Sequence, residues 1–213
     1  MLTHSPILRP ALVLFAILSL ITGVVYPLAI TGIARVAFAD KANGSIITGK
    51  DGKPIGSELI GQDFSAGDTK DAVKWFWGRP SATSPVPYTA VNLDKGTGSS
   101  GSNLASTNPA LIKNVKARIE ALSAADSSVG YARAAAQPIP VDLVTSSASG
   151  LDPHISPAAA EYQVPRIAEA RGMSEEAVRA LVTKHTIGRA LGVLGEPVVN
   201  VLQLNLDLGQ PKR

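Results

Sequence analysis

The chain has 213 residues, a formal net charge of +3, a charged fraction of 17% and no cysteine. That length accommodates one globular domain plus a short extra segment. The missing cysteine excludes disulfides, a thiolate nucleophile and a Cys-ligated metal, and the small, scattered excess of positive charge argues against nucleic acid as a partner.

Between Arg9 and Arg35 runs PALVLFAILSLITGVVYPLAITGIA, 25 residues without a charge. A bilayer core needs about 20 apolar residues in helical form. The pattern predicts a short tail over 1–9, a transmembrane helix over 10–36 and a soluble domain over 37–213. Pro27 falls inside the span, where neighbouring helices can satisfy the freed backbone groups. The competing reading is a cleaved signal peptide, since Ala37-Phe38-Ala39 has the look of a cleavage site. A signal core runs about 7–15 residues, and this one is longer. Gly23, Pro27 and Gly32 mark the expected packing face toward a larger membrane partner, because small residues let helices approach closely. Orientation is in conflict. Arg35, Lys41, Lys50 and Lys53 follow the span, and a Lys/Arg count alone puts the large domain in the cytoplasm.

After the span, GSIITGKDGKPIGSELIGQDF predicts a hairpin around a Gly-Lys-Asp-Gly-Lys-Pro turn. The Gly/Pro/Ser-rich stretch from Trp75 to Thr107 predicts a long ordered loop. A helix starts at the Asn108 cap with Pro109 in its first turn. Leu111, Ile112, Val115, Ile119 and Leu122 form its apolar stripe. The small-residue run 123–138 is expected to be a mobile connector, and 139–145 a strand. A second helix starts at Ser156-Pro157, with Pro165 expected to break or kink it. A third runs from Ser174 to about His185. The alternation of Leu202, Leu204, Leu206 and Leu208 with polar residues predicts a final strand. The fold class is α+β behind one membrane helix.

Nucleotide motifs are approached and missed. GSIITGKD, from Gly44, has phosphate-loop spacing but places Asp51 where Ser or Thr must hold magnesium. GTGSSG, from Gly96, has neither a preceding strand nor a helix at its third glycine. The run VTSSASGLDPHISP crowds Ser146, Ser147, Ser149, Asp152, His154 and Ser156 together. Asp152 and His154 are too few for a zinc site. A hydrolase using Ser149 or Asp152 with His154 is an alternative, but it lacks the flanking glycines of a nucleophile elbow. A structural turn around Gly150 and Asp152-Pro153, ending in a Ser156-Pro157 helix cap, is the simpler account.

The blocks RPAL, ITGVVYPL, ANGSII, GSELIGQDF, GRPSAT, GSNLASTNP, DLVTSSASGLDPHISPAAAEYQVPRIAEARG and GEPVVNVLQLNLDL cover nearly the whole chain. In that order they resemble the C subunit of the Kdp-type potassium-transporting ATPases of bacteria. Two departures stand out: SSGSNL replaces the usual pair of adjacent glycines, and DTKDAVKWFWGRP is a longer approach to Arg79-Pro80-Ser81. The resemblance implies a non-catalytic, single-pass subunit in the bacterial inner membrane. Its implied partners are a channel-like potassium-translocating subunit, an ATP-hydrolysing P-type subunit, a small single-span peptide and the lipid bilayer. It also implies a catalytic chaperone that raises the ATP affinity of the hydrolysing subunit, with no tightly bound cofactor of its own but a shared ATP, for which Gln163 is the contact residue. A competing family picture puts the soluble domain outside the cell, as a cap over the potassium entrance. That picture makes the domain extracytoplasmic. Arg79, Ser81, Ser102, Asn103, Asp152, His154 and Ser156 are then the candidates for docking on a partner. No catalytic residue and no metal ligand is expected.

Overall fold

The computed structural model describes residues 7–134 and 137–209. The chain divides into two units, Met1–Gly56 and Ser57–Arg213.

In the first unit, α1 (Leu8–Leu20), a π-helical turn (Ile21–Val25) and α2 (Tyr26–Ala37) form one continuous apolar helix of 30 residues. At 1.5 Å per residue it is about 45 Å long, more than a bilayer core of about 30 Å requires. None of its residues is buried. Pro27 does not end it. A proline ring clashes with the carbonyl four residues earlier, and the π turn over that stretch loosens the helical ladder where the clash would fall. Thr22 Oγ1 donates to the Leu18 carbonyl at 2.7 Å in the same place. A short turn of helix, α3 (Ala39–Ala42), leads to the expected hairpin of β1 (Ile46–Thr48) and β2 (Pro54–Ser57).

The second unit mixes helices with very short strands. Helix α4 (Thr69–Ala72) precedes the buried run Trp75-Phe76-Trp77, and β3 (Val91–Asn92) pairs with β4 (Thr97–Gly98). Helix α5 (Pro109–Ser128) starts as expected, with Asn108 Oδ1 accepting from the Ala110 N–H at 2.9 Å. It continues past the expected end, so the first part of the 123–138 connector is helix and not mobile loop. Leu122, Ala125 and Asp126 carry its buried face. The connector's residues 135 and 136 lie outside the described residues.

Residues 141–143 form a 3-10 turn in place of the expected strand. Leu143 is fully buried there, and the Asp142 carboxylate accepts from the Ser156 N–H at 2.7 Å. β5 (His154–Ile155) then leads into α6 (Pro157–Arg171), capped by Ser156 Oγ accepting from Ala159 N–H at 3.0 Å. Pro165 does not interrupt α6. Helix α7 (Glu175–Lys184) follows its Ser174 cap, then β6 (Thr186–Ile187), β7 (Val198–Asn200) and α8 (Val201–Asp207). The sheet order is β5-β7-β6, all antiparallel, with His154 opposite Asn200 and Thr186 opposite Val199.

α8 occupies the stretch that alternation marked as a strand. Its buried residues are Val201, Leu202, Leu204 and Asn205, the i, i+1, i+3, i+4 spacing of a helical face. Asn200 caps it by accepting from the Gln203 N–H at 3.1 Å. The alternation misled because one of its polar members, Asn205, belongs to the core.

Candidate functional site

The buried Trp75-Phe76-Trp77 run is not in a sheet, yet its backbone groups are paired. Backbone N–H and C=O groups out of water must find partners, and side chains supply them here. Asn205 Oδ1 accepts from Phe76 N–H at 2.9 Å, while its Nδ2 donates to the Phe76 carbonyl at 3.0 Å. Gln163 does the same one residue on: Oε1 accepts from Trp77 N–H at 2.8 Å, and Nε2 donates to the Trp77 carbonyl at 3.1 Å. Each amide imitates one rung of a β-ladder.

Arginines finish the job. Arg166, 1% exposed, donates to the carbonyls of Val73 and Trp75 and to Gln163 Oε1. Burial lowers its pKa to about 10, with Asp126 acting against the fall. At neutral pH it stays charged. Asp126 also holds Arg133 at 2.7 Å, and Arg133 lies over the Tyr162 ring, 3.6 Å from its centroid. Arg171 donates to the Lys74 carbonyl at 2.7 Å and lies over Trp75. Arg118 donates to the carbonyls of Leu143 and Gly78 and lies 4.8 Å from the centroid of the Trp77 ring.

The same segment leads into the polar loops. Arg79 donates to Asp152 Oδ2 at 3.4 Å and to the Ser146 carbonyl at 3.2 Å. Ser81 Oγ donates to the Gly150 carbonyl at 2.7 Å and accepts from Tyr88 N–H at 2.9 Å. Tyr88 hydroxyl donates to the Arg79 carbonyl at 2.6 Å, and burial raises its pKa well above the usual phenol range. Gly150 has φ 67°, and a Cβ there would stand 2.6 Å from the Ser100 carbonyl oxygen. Glycine is required on both counts.

Arg79, Ser81, Asp152 and His154 are therefore brought together, joined by Ser102 through its 3.2 Å contact with Ser146 Oγ. Ser156 is set apart as the cap of α6. Asn103 is exposed with φ 51° and makes no side-chain hydrogen bond among the described residues. Burial alone would raise the Asp152 pKa. Hydrogen bonds from the His154 side chain and backbone, and the Arg79 charge, outweigh it and leave the carboxyl below its usual range. His154 Nδ1 faces Asp152 at 3.5 Å, and no hydroxyl is bonded to His154 among the described residues. Ser149 Oγ accepts from the Leu151 N–H instead. No group of three or more potential metal ligands occurs among the described residues.

The arrangement is a polar layer of two loops tied to each other by hydrogen bonds. Sequence reading missed Arg118, Tyr88, Asp126, Arg166 and Asn205. For Arg166 and Asn205 a signal was available: each is a polar residue inside an otherwise apolar helical face beside an aromatic-rich, sheetless run.

The family described as KdpC: K+-transporting ATPase, c chain, matches residues 8–210, taking in the apolar helix and the polar loops alike. The chain belongs to the KdpC family. It is similar to the potassium-transporting ATPase KdpC subunit of Sorangium cellulosum, 57% identical over 98% of both chains. The KdpC subunit of Dechloromonas aromatica is 57% identical over 95% of this chain and 96% of the relative. That of Ralstonia nicotianae is 57% identical over 97% of this chain and 92% of the relative. Gln163 lies fully inside the core, with both ends of its amide engaged.

Proposed function

We propose that the chain is a non-catalytic, single-pass subunit of an ATP-driven potassium-transporting complex in the bacterial inner membrane. The match of one family to both the helix and the soluble unit carries this reading. The helix anchors the chain. Its partners are the channel-like potassium-translocating subunit, the ATP-hydrolysing P-type subunit and a small single-span peptide. The soluble unit lies outside the cytoplasm and docks through the layer around Arg79, Ser81, Ser102, Asn103, Asp152, His154 and Ser156. The hydrogen bonds that tie the two loops together support a recognition role, since preformed loops lose little freedom on binding.

The chain raises the ATP affinity of the hydrolysing subunit without a direct contact from Gln163. The saturated, buried amide supports an indirect route. The effect passes through the membrane helices as a coupling free energy, typically about 1–3 kcal/mol, or roughly 5–150-fold. ATP hydrolysis by the complex, purified with and without this subunit, tests it. We expect the KM for ATP to rise at least about fivefold without the subunit. An unchanged KM would leave only an assembly role.

A further inference from the structure

A half-open cavity of about 190 Å³ is walled by Asp63, Ser65, Gly78, Arg79, Tyr88 and Arg118. One water needs only about 10–15 Å³ of such volume, so the space exceeds a single water by an order of magnitude. Its walls hold unused hydrogen-bonding capacity. Arg118 spends Nε on the Leu143 carbonyl and Nη2 on the Gly78 carbonyl, and its Nη1 has no partner in the chain among the described residues. Burial lowers its pKa, with Asp63 and Tyr88 acting the other way. Arg79 is loosely held, at 3.4 Å from Asp152 and 3.2 Å from a carbonyl. Its Nε is the one buried side-chain nitrogen or oxygen without a partner among the described residues.

Asp63 completes the picture. Its Oδ1 accepts from the Ser65 N–H at 2.9 Å and hydroxyl at 2.6 Å, while Oδ2 is unused. No ion pair joins Asp63 to Arg118 or Arg79 within 4.0 Å among the described residues. Asp152 offsets Arg79 from the neighbouring loop, so the pocket is set apart by unused donors and an unused acceptor rather than by net charge. Guanidinium N–H groups match the oxygens of carboxylate and phosphate. A carboxylate oxygen beside them calls for a donor on the same ligand.

We propose that this pocket binds a small oxyanion that also carries an acidic hydroxyl, the class of hydrogen phosphate. Arg118 Nη1 and a turned Arg79 guanidinium donate to its oxygens, and Asp63 Oδ2 accepts from its hydroxyl. The long contacts of Arg79 leave it free to turn. The pocket shares Arg79 with the docking layer, but binding there does not depend on assembly of a complex.

The test is calorimetric titration of the full chain in detergent with inorganic phosphate at constant ionic strength, beside sulfate and chloride. Sulfate offers the same tetrahedron of oxygens but no hydroxyl at neutral pH. We expect saturable phosphate binding, sulfate weaker by about tenfold and no effect of chloride. Arg118→Lys removes Nη1 and is expected to weaken phosphate by at least about tenfold. If that variant fails to fold, Asp63→Asn carries the test from a half-buried turn. Its amide can donate to sulfate, so the preference for phosphate should vanish. Absence of saturable phosphate binding would mean a water-filled cavity only. Equal phosphate and sulfate binding, unchanged by either variant, would mean an adventitious ion only. Each of these overturns the proposal.

Discussion

Gln163 shows how one side chain can stand in for a neighbouring strand. Among the described residues its amide is the only partner of the Trp77 N–H and carbonyl, and it also receives Arg166. Leaving a buried polar group unpaired costs roughly 1–3 kcal/mol each. We expect Gln163→Ala to destabilise the full chain by several kcal/mol in urea unfolding in detergent. An effect under about 0.5 kcal/mol, the scale of an ordinary surface change, would contradict a structural role. His154 makes the contrasting case. It is half-buried beside Asp152 but is bonded to no hydroxyl among the described residues, so His154→Asn should leave potassium-stimulated ATP hydrolysis within a few fold. A loss of about 10²-fold or more, the scale of a missing general acid or base, would restore the hydrolase alternative.

At the scale of elements, the apolar helix is the part that most needs a partner. An ideal Cβ built on Gly23 or Gly32 meets nothing within 4 Å, so neither glycine is demanded by its own chain. Gly23→Leu should therefore leave the isolated chain unaffected while weakening co-purification of the complex, because close helix approach depends on small residues. Wild-type yield of the complex would show that no partner packs at this position. The elements also show what a sequence discloses. The helix starts at Asn108, Ser156 and Ser174 were legible because caps and first-turn prolines are local chemistry. So were the hairpin and the long apolar helix. The Leu202–Leu208 stretch was not, because its register is decided by Asn205 reaching Phe76, a contact across 129 residues. The loop layer was legible as a cluster of polar residues in sequence. Its pairing of Arg79 with Asp152 was not, since nothing local ties positions 73 residues apart. Pro165 also misled, because one missing hydrogen bond is outweighed when the surrounding helix face is as deeply buried as that of α6.

For the whole molecule the decisive question is the side of the membrane. The Lys/Arg count favours the cytoplasm, but large domains translocate largely regardless of charge. Ser127 stands exposed on the last turn of α5, in a chain with no cysteine. Ser127→Cys thus creates a single accessible thiol. A membrane-impermeant maleimide should label it in intact cells whose outer membrane has been permeabilised. Labelling that appears only after the inner membrane is lysed would place the soluble unit in the cytoplasm, and direct assistance to ATP binding would become the leading mechanism.

The clamps on residues 73–77 also set an order of events during synthesis. Asn205, which holds Phe76, is made 129 residues later. At about 5–20 residues per second, that interval is roughly ten seconds. Until it ends, Phe76 has neither a strand to pair with nor the side chain that replaces one, while Gln163 and Arg166 reach Trp77 and Trp75 sooner. The Phe76 clamp can close only after α8 has been made, so α8 acts as a latch on an aromatic run built long before it.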